Sequence, residues 1–113
     1  MFYSDIKFPD ILDGKDLFIT LFVSGAGKRF TGETLTDIVI KLQEDYISGL
    51  AISGDEVLHL FNRQSLCELT RTIRAIFGDS KKILLSTNYS VDDIISWNDK
   101  YTDELLSYVE VIN

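Results

Sequence analysis

The residues best placed to do chemistry follow the first strongly apolar segment of the chain. Residues 24–28 read Ser-Gly-Ala-Gly-Lys, which is a run of small residues ending in a cation. Glycine-rich turns after a strand can hold phosphate through their backbone amides. A P-loop, however, needs Gly-x4-Gly-Lys-Ser/Thr at the start of a helix, whereas here the glycines are too close and Arg29 follows the lysine. The pattern therefore does not predict a phosphate-binding enzyme.

Few side chains are available for nucleophilic or metal chemistry. The chain contains one cysteine, Cys67, and one histidine, His59. One cysteine excludes an internal disulfide and a multi-cysteine metal or cluster site within these 113 residues. Cys67 shares a predicted helical face with apolar neighbours, which favours a buried structural side chain over a reactive thiol. We expect a structural role for His59 too, and the spacing of the two residues supports no catalytic triad.

Composition and charge restrict the class of protein. A length of 113 residues suffices for one domain with its own core, so we predict a single domain over residues 1–113. The net charge of -7 argues against direct nucleic-acid binding, which needs a basic face. No apolar run is long enough to cross a membrane, and no signal-peptide pattern follows Met1. These features favour a cytoplasmic protein without membrane contact.

Apolar runs alternate with amphipathic segments along the chain. Strands are predicted at residues 17–23, 48–54, 81–88 and 109–112, helices at 31–46, 62–80 and 90–99, and a helical or turn segment at 102–108. Strands that alternate with helices imply parallel pairing through right-handed crossovers. We therefore predict an α/β fold with a small, mostly parallel sheet of about four strands and crossover helices. Ligands of such folds bind beyond the carboxyl ends of the strands.

Local signals mark the ends of the predicted helices. Thr31 or Thr34 can cap the first helix, Ser90 can begin the third, and Gly78 can end the second. The apolar residues of the second helix are expected to face the core, and they are Leu66, Leu69, Ile73, Ile76 and Phe77.

Five segments, taken in order, resemble one enzyme family. They are residues 3–25, 30–42, 46–66, 81–94 and 108–112. The first ends in Leu-Phe-Val-Ser-Gly, and the third contains Ser-Gly-Asp-Glu-Val-Leu, which is similar to a Gly-Gly-Asp/Glu-Pro-Leu motif. The chain resembles the activating proteins of anaerobic ribonucleoside-triphosphate reductase, which are small radical S-adenosylmethionine enzymes. The resemblance is colinear over nearly the whole chain and implies a shortened radical-SAM partial barrel.

The departures from the family pattern concern its redox centre. In the family, Ser-Gly is followed by Cys-x3-Cys-x2-Cys, whose thiolates hold a four-iron cluster that binds and reduces S-adenosylmethionine. Here Ala26 stands at the first cysteine position, and the sequence continues directly to the first predicted helix. Clusters of this kind need thiolate ligands. The resemblance therefore implies a degenerate, truncated relative with no iron–sulfur cluster, no cofactor, no metal and no catalytic residue.

The family's ligand motifs are altered as well. Asp55 replaces the second glycine of Gly-Gly-Asp/Glu-Pro-Leu and adds bulk and charge where a ligand would approach. The Thr-Gly-Tyr motif corresponds to residues 87–89. Glu56 could still receive a ligand's ammonium group, although a solvated loop carboxylate is the simpler interpretation. The residues of this vestigial S-adenosylmethionine or nucleoside site would be Gly25, Gly54, Glu56, Thr87 and Tyr89.

We expect this chain to act by binding a protein, without catalysis. Small acidic proteins built on an enzyme scaffold suit a phage or mobile-element inhibitor of a host enzyme or a defence nuclease. The alternatives are regulation of the anaerobic reductase and binding of S-adenosylmethionine or a nucleoside without cleavage. The last strand, at an open sheet edge, could pair with a partner or with a second copy of the chain. Candidate partner-binding residues, each of which has a solvated helix face as its alternative, are Asp92, Asp93, Asp99, Asp103 and Glu104.

Overall fold

The computed structural model describes residues 1–12 and 14–113. The strands of this part are β1 (Phe2–Ile11), β2 (Leu17–Ser24), β3 (Lys28–Arg29), β4 (Ile47–Gly54), β5 (Lys82–Ser86) and β6 (Glu110–Ile112). The helices are α1 (Gly32–Leu42), α2 (Leu60–Phe77), α3 (Val91–Ser96) and α4 (Lys100–Leu106). Every predicted helix and strand is present, and the α/β class is confirmed. None of these helices combines the length and hydropathy needed to cross a bilayer.

All six strands of the described residues belong to one sheet, in the order β3-β1-β2-β4-β5-β6. The four predicted strands, β2, β4, β5 and β6, form its parallel part. The prediction of about four strands was nevertheless too low, because β1 and β3 add an antiparallel extension beside β2. β1 escaped prediction because charged residues interrupt its apolar ones and Pro9 lies inside it, and proline is depleted in strands.

One face of the sheet packs against the helices and forms the main core. On β2, Ile19 and Leu21 point into this core, as Leu50 and Ile52 do on β4. These side chains pack against the apolar sides of the helices. Leu66 of α2, for example, is fully buried in this core. Since side chains alternate along a strand, the residues between these point to the opposite face of the sheet.

The predicted helix ends are largely confirmed. The Thr31 hydroxyl accepts from the backbone amide of Thr34, while the Thr34 hydroxyl accepts from that of Thr31, so both threonines cap α1. Ser90 caps α3 in the same reciprocal way with Asp93. Gly78 ends α2 with φ 58°. The predicted burial of Ile76 was wrong. Its side chain lies on the outer side of α2 and is 52% exposed.

Arg74 joins the end of α2 to the sheet. Its Nη1 donates to the carbonyl oxygens of Gly78 at 2.9 Å and Lys81 at 2.6 Å. Its Nη2 donates to the carbonyl oxygen of Tyr108 at 2.7 Å. One guanidinium therefore fixes the segments that lead into β5 and β6.

Candidate functional site

The carboxyl ends of β2 and β4 border a cleft of about 550 Å³. It also receives the beginning of β1 and the first turn of α2. This is the edge of a parallel sheet at which α/β proteins commonly bind ligands. The lining residues are Phe2, Ser24, Gly25, Asp55, Glu56, His59, Phe61 and Asn62.

The connection from β2 to α1 is short and fastened to β1. Residues 25–27 make the turn, and Gly27 has φ 125°. A Cβ atom at Gly27 would lie 2.6 Å from the carbonyl oxygen of Tyr3, so this backbone approach requires glycine. Lys28 then pairs with Tyr3, and the amide of Phe30 donates to the carbonyl oxygen of Met1 at 2.9 Å. Lys28 thus lies on a strand rather than at a helix start, which agrees with the exclusion of a P-loop.

The connection from β4 to α2 contains the altered glycine motif. Gly54 has φ 123°, and a Cβ atom there would lie 2.0 Å from the carbonyl oxygen of Val23. Gly54 therefore serves the close approach of β4 to β2. Glu56 adopts φ 47°, an uncommon conformation for a residue with a side chain. His59 caps α2, because its Nδ1 accepts from the amide of Phe61 at 3.1 Å. His59 thus has the structural role that we expected, as a helix cap that no sequence signal predicted.

The structure brings together only some of the residues predicted for a vestigial S-adenosylmethionine or nucleoside site. Gly25 and Glu56 line the cleft, and Gly54 lies directly before Asp55. Thr87 and Tyr89 instead follow β5, two strands away from β2.

The loop after β5 is held by contacts within the chain. The Nδ2 of Asn113 donates to the carbonyl oxygens of Thr87 and Tyr89, both at 2.8 Å. The ring of Tyr89 packs edge-on against Trp97, with 4.9 Å between the ring centroids. These contacts give Thr87 and Tyr89 structural roles.

Three of the five candidate partner-binding acids are engaged within the chain. Asp93 caps the start of α3. The Oδ1 of Asp99 accepts from the amides that begin α4, while its Oδ2 lies 3.3 Å from Arg63. Glu104 forms an ion pair with an arginine on α2. Asp92 and Asp103 are exposed. Within the part of the chain that the structure describes, their carboxylates form no hydrogen bond.

The carboxyl groups of these ion pairs have lowered pKa values. Partial burial acts to raise the pKa of Asp99, but the amides of Thr102 and Tyr101 together with Arg63 outweigh it and hold the pKa below its ordinary value. Hydrogen bonds from Arg71 and then from Tyr108 lower the pKa of Glu104 to about 2. Both carboxylates are therefore ionised at neutral pH and committed to contacts between helices.

A second cavity of about 580 Å³ lies over the sheet face that the helices leave uncovered. Within it the Thr20 hydroxyl donates to Asp10 Oδ2 at 2.7 Å, which holds the pKa of Asp10 below its ordinary value. Its lining residues include Leu12, Phe18, Phe22, Ala51, Lys82, Leu84 and Glu110. This groove combines apolar walls with a rim of both charges.

Cys67 lies away from the strand ends. It sits in the middle of α2, is fully buried, and has its thiol pKa raised by burial and by the nearby Glu104. The predicted burial of this side chain is confirmed. The described residues contain no group of three or more His, Cys, Asp and Glu side chains arranged to hold a metal ion.

Residues 15–112 match the family model of the 4Fe-4S single cluster domain. The chain belongs to this family. A curated relative, the anaerobic ribonucleoside-triphosphate reductase-activating protein of Enterobacteria phage T4, is 30% identical over 129 residues, covering 99% of this chain and 78% of the relative. No solved structure matches the chain. The resemblance to activating proteins that the sequence indicated is thereby confirmed.

The side chains of this family member do not fit a four-iron cluster. The family is described by its 4Fe-4S cluster, and such clusters are held by several cysteine thiolates. The only thiol among these 113 residues belongs to the buried Cys67. At the carboxyl end of β2, the side-chain atoms of the cleft that could bind a metal are oxygen atoms and one imidazole, and no sulfur atom is among them. The alignment with the phage relative spans 129 residues, so at least 16 residues of the relative have no counterpart among the 113 present here.

Proposed function

We propose that this chain is a non-catalytic member of its family that acts by binding another protein, as an inhibitor or a regulator. The observation that carries the proposal is the β2–α1 connection. Where the family pattern has its cysteine loop, residues 25–31 form a short turn and a strand fastened to β1, with no sulfur ligand. Radical generation needs a low-potential electron donor bound at this place. The sheet and the helices are present without this electron donor, and their surfaces remain available for binding a protein.

The anaerobic ribonucleoside-triphosphate reductase is the first partner to consider. The phage T4 relative is named as the activating protein of this enzyme. A protein with the same scaffold and no cluster would occupy the activator's place on the reductase without activating it. The net charge of -7 supports a second candidate, a nuclease whose basic nucleic-acid channel would attract an acidic protein.

The loss of radical chemistry can be tested directly. The purified chain is incubated anaerobically with ferrous iron and sulfide, and bound iron, visible absorbance and cleavage of S-adenosylmethionine are measured. We expect no more iron and no more cleavage than with a Cys67→Ala variant. Four irons per chain together with cleavage of S-adenosylmethionine would refute the proposal.

The protein-binding role needs a separate measurement. The anaerobic reductase is activated by a cluster-containing activating protein in the presence of increasing amounts of this chain. An inhibitor that competes for the reductase lowers the final reductase activity, and this loss is overcome by more activator. Undiminished activity together with no co-elution on size exclusion would remove the reductase as partner. The same co-elution assay with a nuclease tests the second candidate.

Binding of S-adenosylmethionine without cleavage remains a second candidate function, because the cleft of about 550 Å³ persists at the strand ends and keeps Gly25 and Glu56 in its lining. Asp55 also lines the cleft and places a second carboxylate beside Glu56. Calorimetry with S-adenosylmethionine decides the question, because no heat at millimolar ligand would exclude this function.

A further inference from the structure

The strand-end cleft is bordered by an unusually exposed apolar pair. Leu60 is 71% exposed and Phe61 is 67% exposed, and both lie in the first turn of α2. They are the two most exposed large apolar side chains in the described part of the chain. Phe61 lines the cleft, and Phe2 lines it from the beginning of β1. Exposed apolar side chains gathered at the rim of a cavity are typical of a binding surface.

The charge of the cleft selects a cationic occupant. Asp55 and Glu56 line it, and neither forms an ion pair with any cation of residues 1–12 and 14–113. The Nδ1 of His59 is already engaged, because it accepts the backbone amide of Phe61 at 3.1 Å. The amino end of α2 contributes roughly half a positive charge, which two carboxylates exceed.

Among protein cations, the arginine side chain suits this cleft best. A guanidinium is planar and stacks on aromatic rings, while its N–H groups donate to carboxylates. The cleft offers two phenyl rings, at Phe2 and Phe61, and two carboxylates, at Asp55 and Glu56. Its volume of about 550 Å³ is ample for one such side chain together with part of the segment that carries it.

We propose that this cleft and the Leu60–Phe61 pair form the docking surface for a protein partner that inserts an arginine side chain between Phe2 and Phe61. The arginine contacts Asp55 and Glu56, and the apolar pair packs against the surface around it. This inference rests on the proposed protein-binding function and specifies where and how the partner binds. It assigns the contact to the strand ends instead of the acidic residues of α3 and α4.

The test uses a defined peptide and the full chain. Acetyl-Gly-Gly-Arg-Gly-Gly-amide is titrated into isotopically labelled protein, and backbone amide shifts are followed by NMR. We expect millimolar binding, with the shifts concentrated at Gly25 and at residues 55–62. The same peptide with citrulline, which lacks the charge, should cause no comparable shifts. Equal shifts with both peptides, or shifts centred elsewhere, would overturn the proposal.

Two double variants separate the cleft from general acidity. Asp55→Asn with Glu56→Gln should weaken arginine-peptide binding by about tenfold or more, which corresponds to about 1.4 kcal/mol. Asp92→Asn with Asp103→Asn removes the same charge from exposed positions of α3 and α4 and should leave binding unchanged. Equal weakening by both would mean that the peptide responds to net charge alone, which contradicts the proposed cleft.

A third comparison concerns the apolar pair. Phe61→Ser should weaken peptide binding, whereas Ile95→Ser, at a position that is 51% exposed on α3, should not. Equal effects of the two substitutions would count against stacking on Phe61. If all cleft variants still bind a reductase or nuclease that the wild-type chain binds, the docking surface is wrong while the proposed protein-binding function stands.

Discussion

Arg71 on α2 and Glu104 on α4 form a two-point ion pair. The Nε of Arg71 donates to Oε2 of Glu104 at 2.6 Å, and its Nη2 donates to Oε1 at 2.9 Å. The hydroxyl of Tyr108 donates to the same Oε2 at 2.7 Å. Such paired, charge-assisted hydrogen bonds are stronger and more specific than a single contact. The pair joins the longest helix of the described residues to the segment before β6.

This ion pair predicts a pH dependence of stability. The pKa of Glu104 is about 2 in the folded chain, against an ordinary value of 4.5. A lowered folded pKa means that the carboxylate's contribution is complete above pH 4.5 and is lost as the pH falls through about 2. Urea unfolding of Glu104→Gln should therefore show a smaller loss of stability between pH 7 and pH 3 than the wild type.

The control for this prediction is Glu68→Gln. Glu68 also lies on α2, but it is exposed, and its carboxylate accepts from the side-chain amide of Gln64 at 3.2 Å without an ion pair among the described residues. Its pH profile should follow that of the wild type. A Glu104→Gln profile that is parallel to the wild type would show that the ion pair does not stabilise the fold.

A pair of glycine substitutions tests whether the packing of β4 against β2 requires glycine at position 54. Gly54→Ala should lower the free energy of unfolding by about 2 kcal/mol, because the added Cβ meets the carbonyl of Val23 and φ is 123°. Gly25→Ala should change it by less than about 0.5 kcal/mol, since nothing lies within 4 Å of the added Cβ. Both are measured by urea unfolding. Equal stability of the two variants would contradict the structural role of Gly54.

Arg74 offers a test of the junction between α2 and the sheet. Arg74→Ala leaves three carbonyl oxygens without their donor and should lower the free energy of unfolding by about 2–3 kcal/mol. Arg29→Ala removes an exposed arginine from β3 and should have an effect below about 0.5 kcal/mol. Thermal or urea unfolding compares the two. A small effect at Arg74 would mean that water replaces its hydrogen bonds at little cost.

The burial of Cys67 predicts a slow thiol. Because burial raises the thiol pKa and blocks access, native Cys67 should react with a disulfide reagent at pH 7 at least roughly a hundredfold more slowly than in urea. The colour released by the reagent gives both rates. Comparable rates in the native and unfolded chain would show that the middle of α2 opens readily and that the thiol is available.

The regular elements could be predicted from sequence because their signals are local. The apolar run that includes Ile19 and Leu21 predicts a buried strand. Thr31 and Ser90 mark helix starts, because their side chains form hydrogen bonds with residues only three positions further along the chain. β1 lacks such a signal, since its place in the sheet depends on pairing with β2. The antiparallel extension therefore became visible only in three dimensions.

The candidate site was predictable only in part, because its contacts join distant parts of the chain. Asp99 and Glu104 resemble free surface acids in sequence, yet their partners Arg63 and Arg71 lie 36 and 33 residues away. His59 and Phe61 gave no sequence signal of a cleft, because the cleft exists only where α2 begins beside the end of β2. The strand-end rule and the family resemblance pointed to Gly25 and Glu56, which line the cleft, whereas Phe2, His59 and Phe61 were recognised as lining residues only in the structure.

The short connection after β2 has a consequence for how such proteins change during evolution. The seven residues 25–31 join two elements that stay anchored to the core by their own buried faces. A loop three times as long would raise the entropic cost of closure by only about 1 kcal/mol. Closure entropy alone therefore places little restriction on the length of this connection, and the contacts at stake are those that pair β3 with β1. The same two elements can therefore carry connections of different lengths without a change in the rest of the fold.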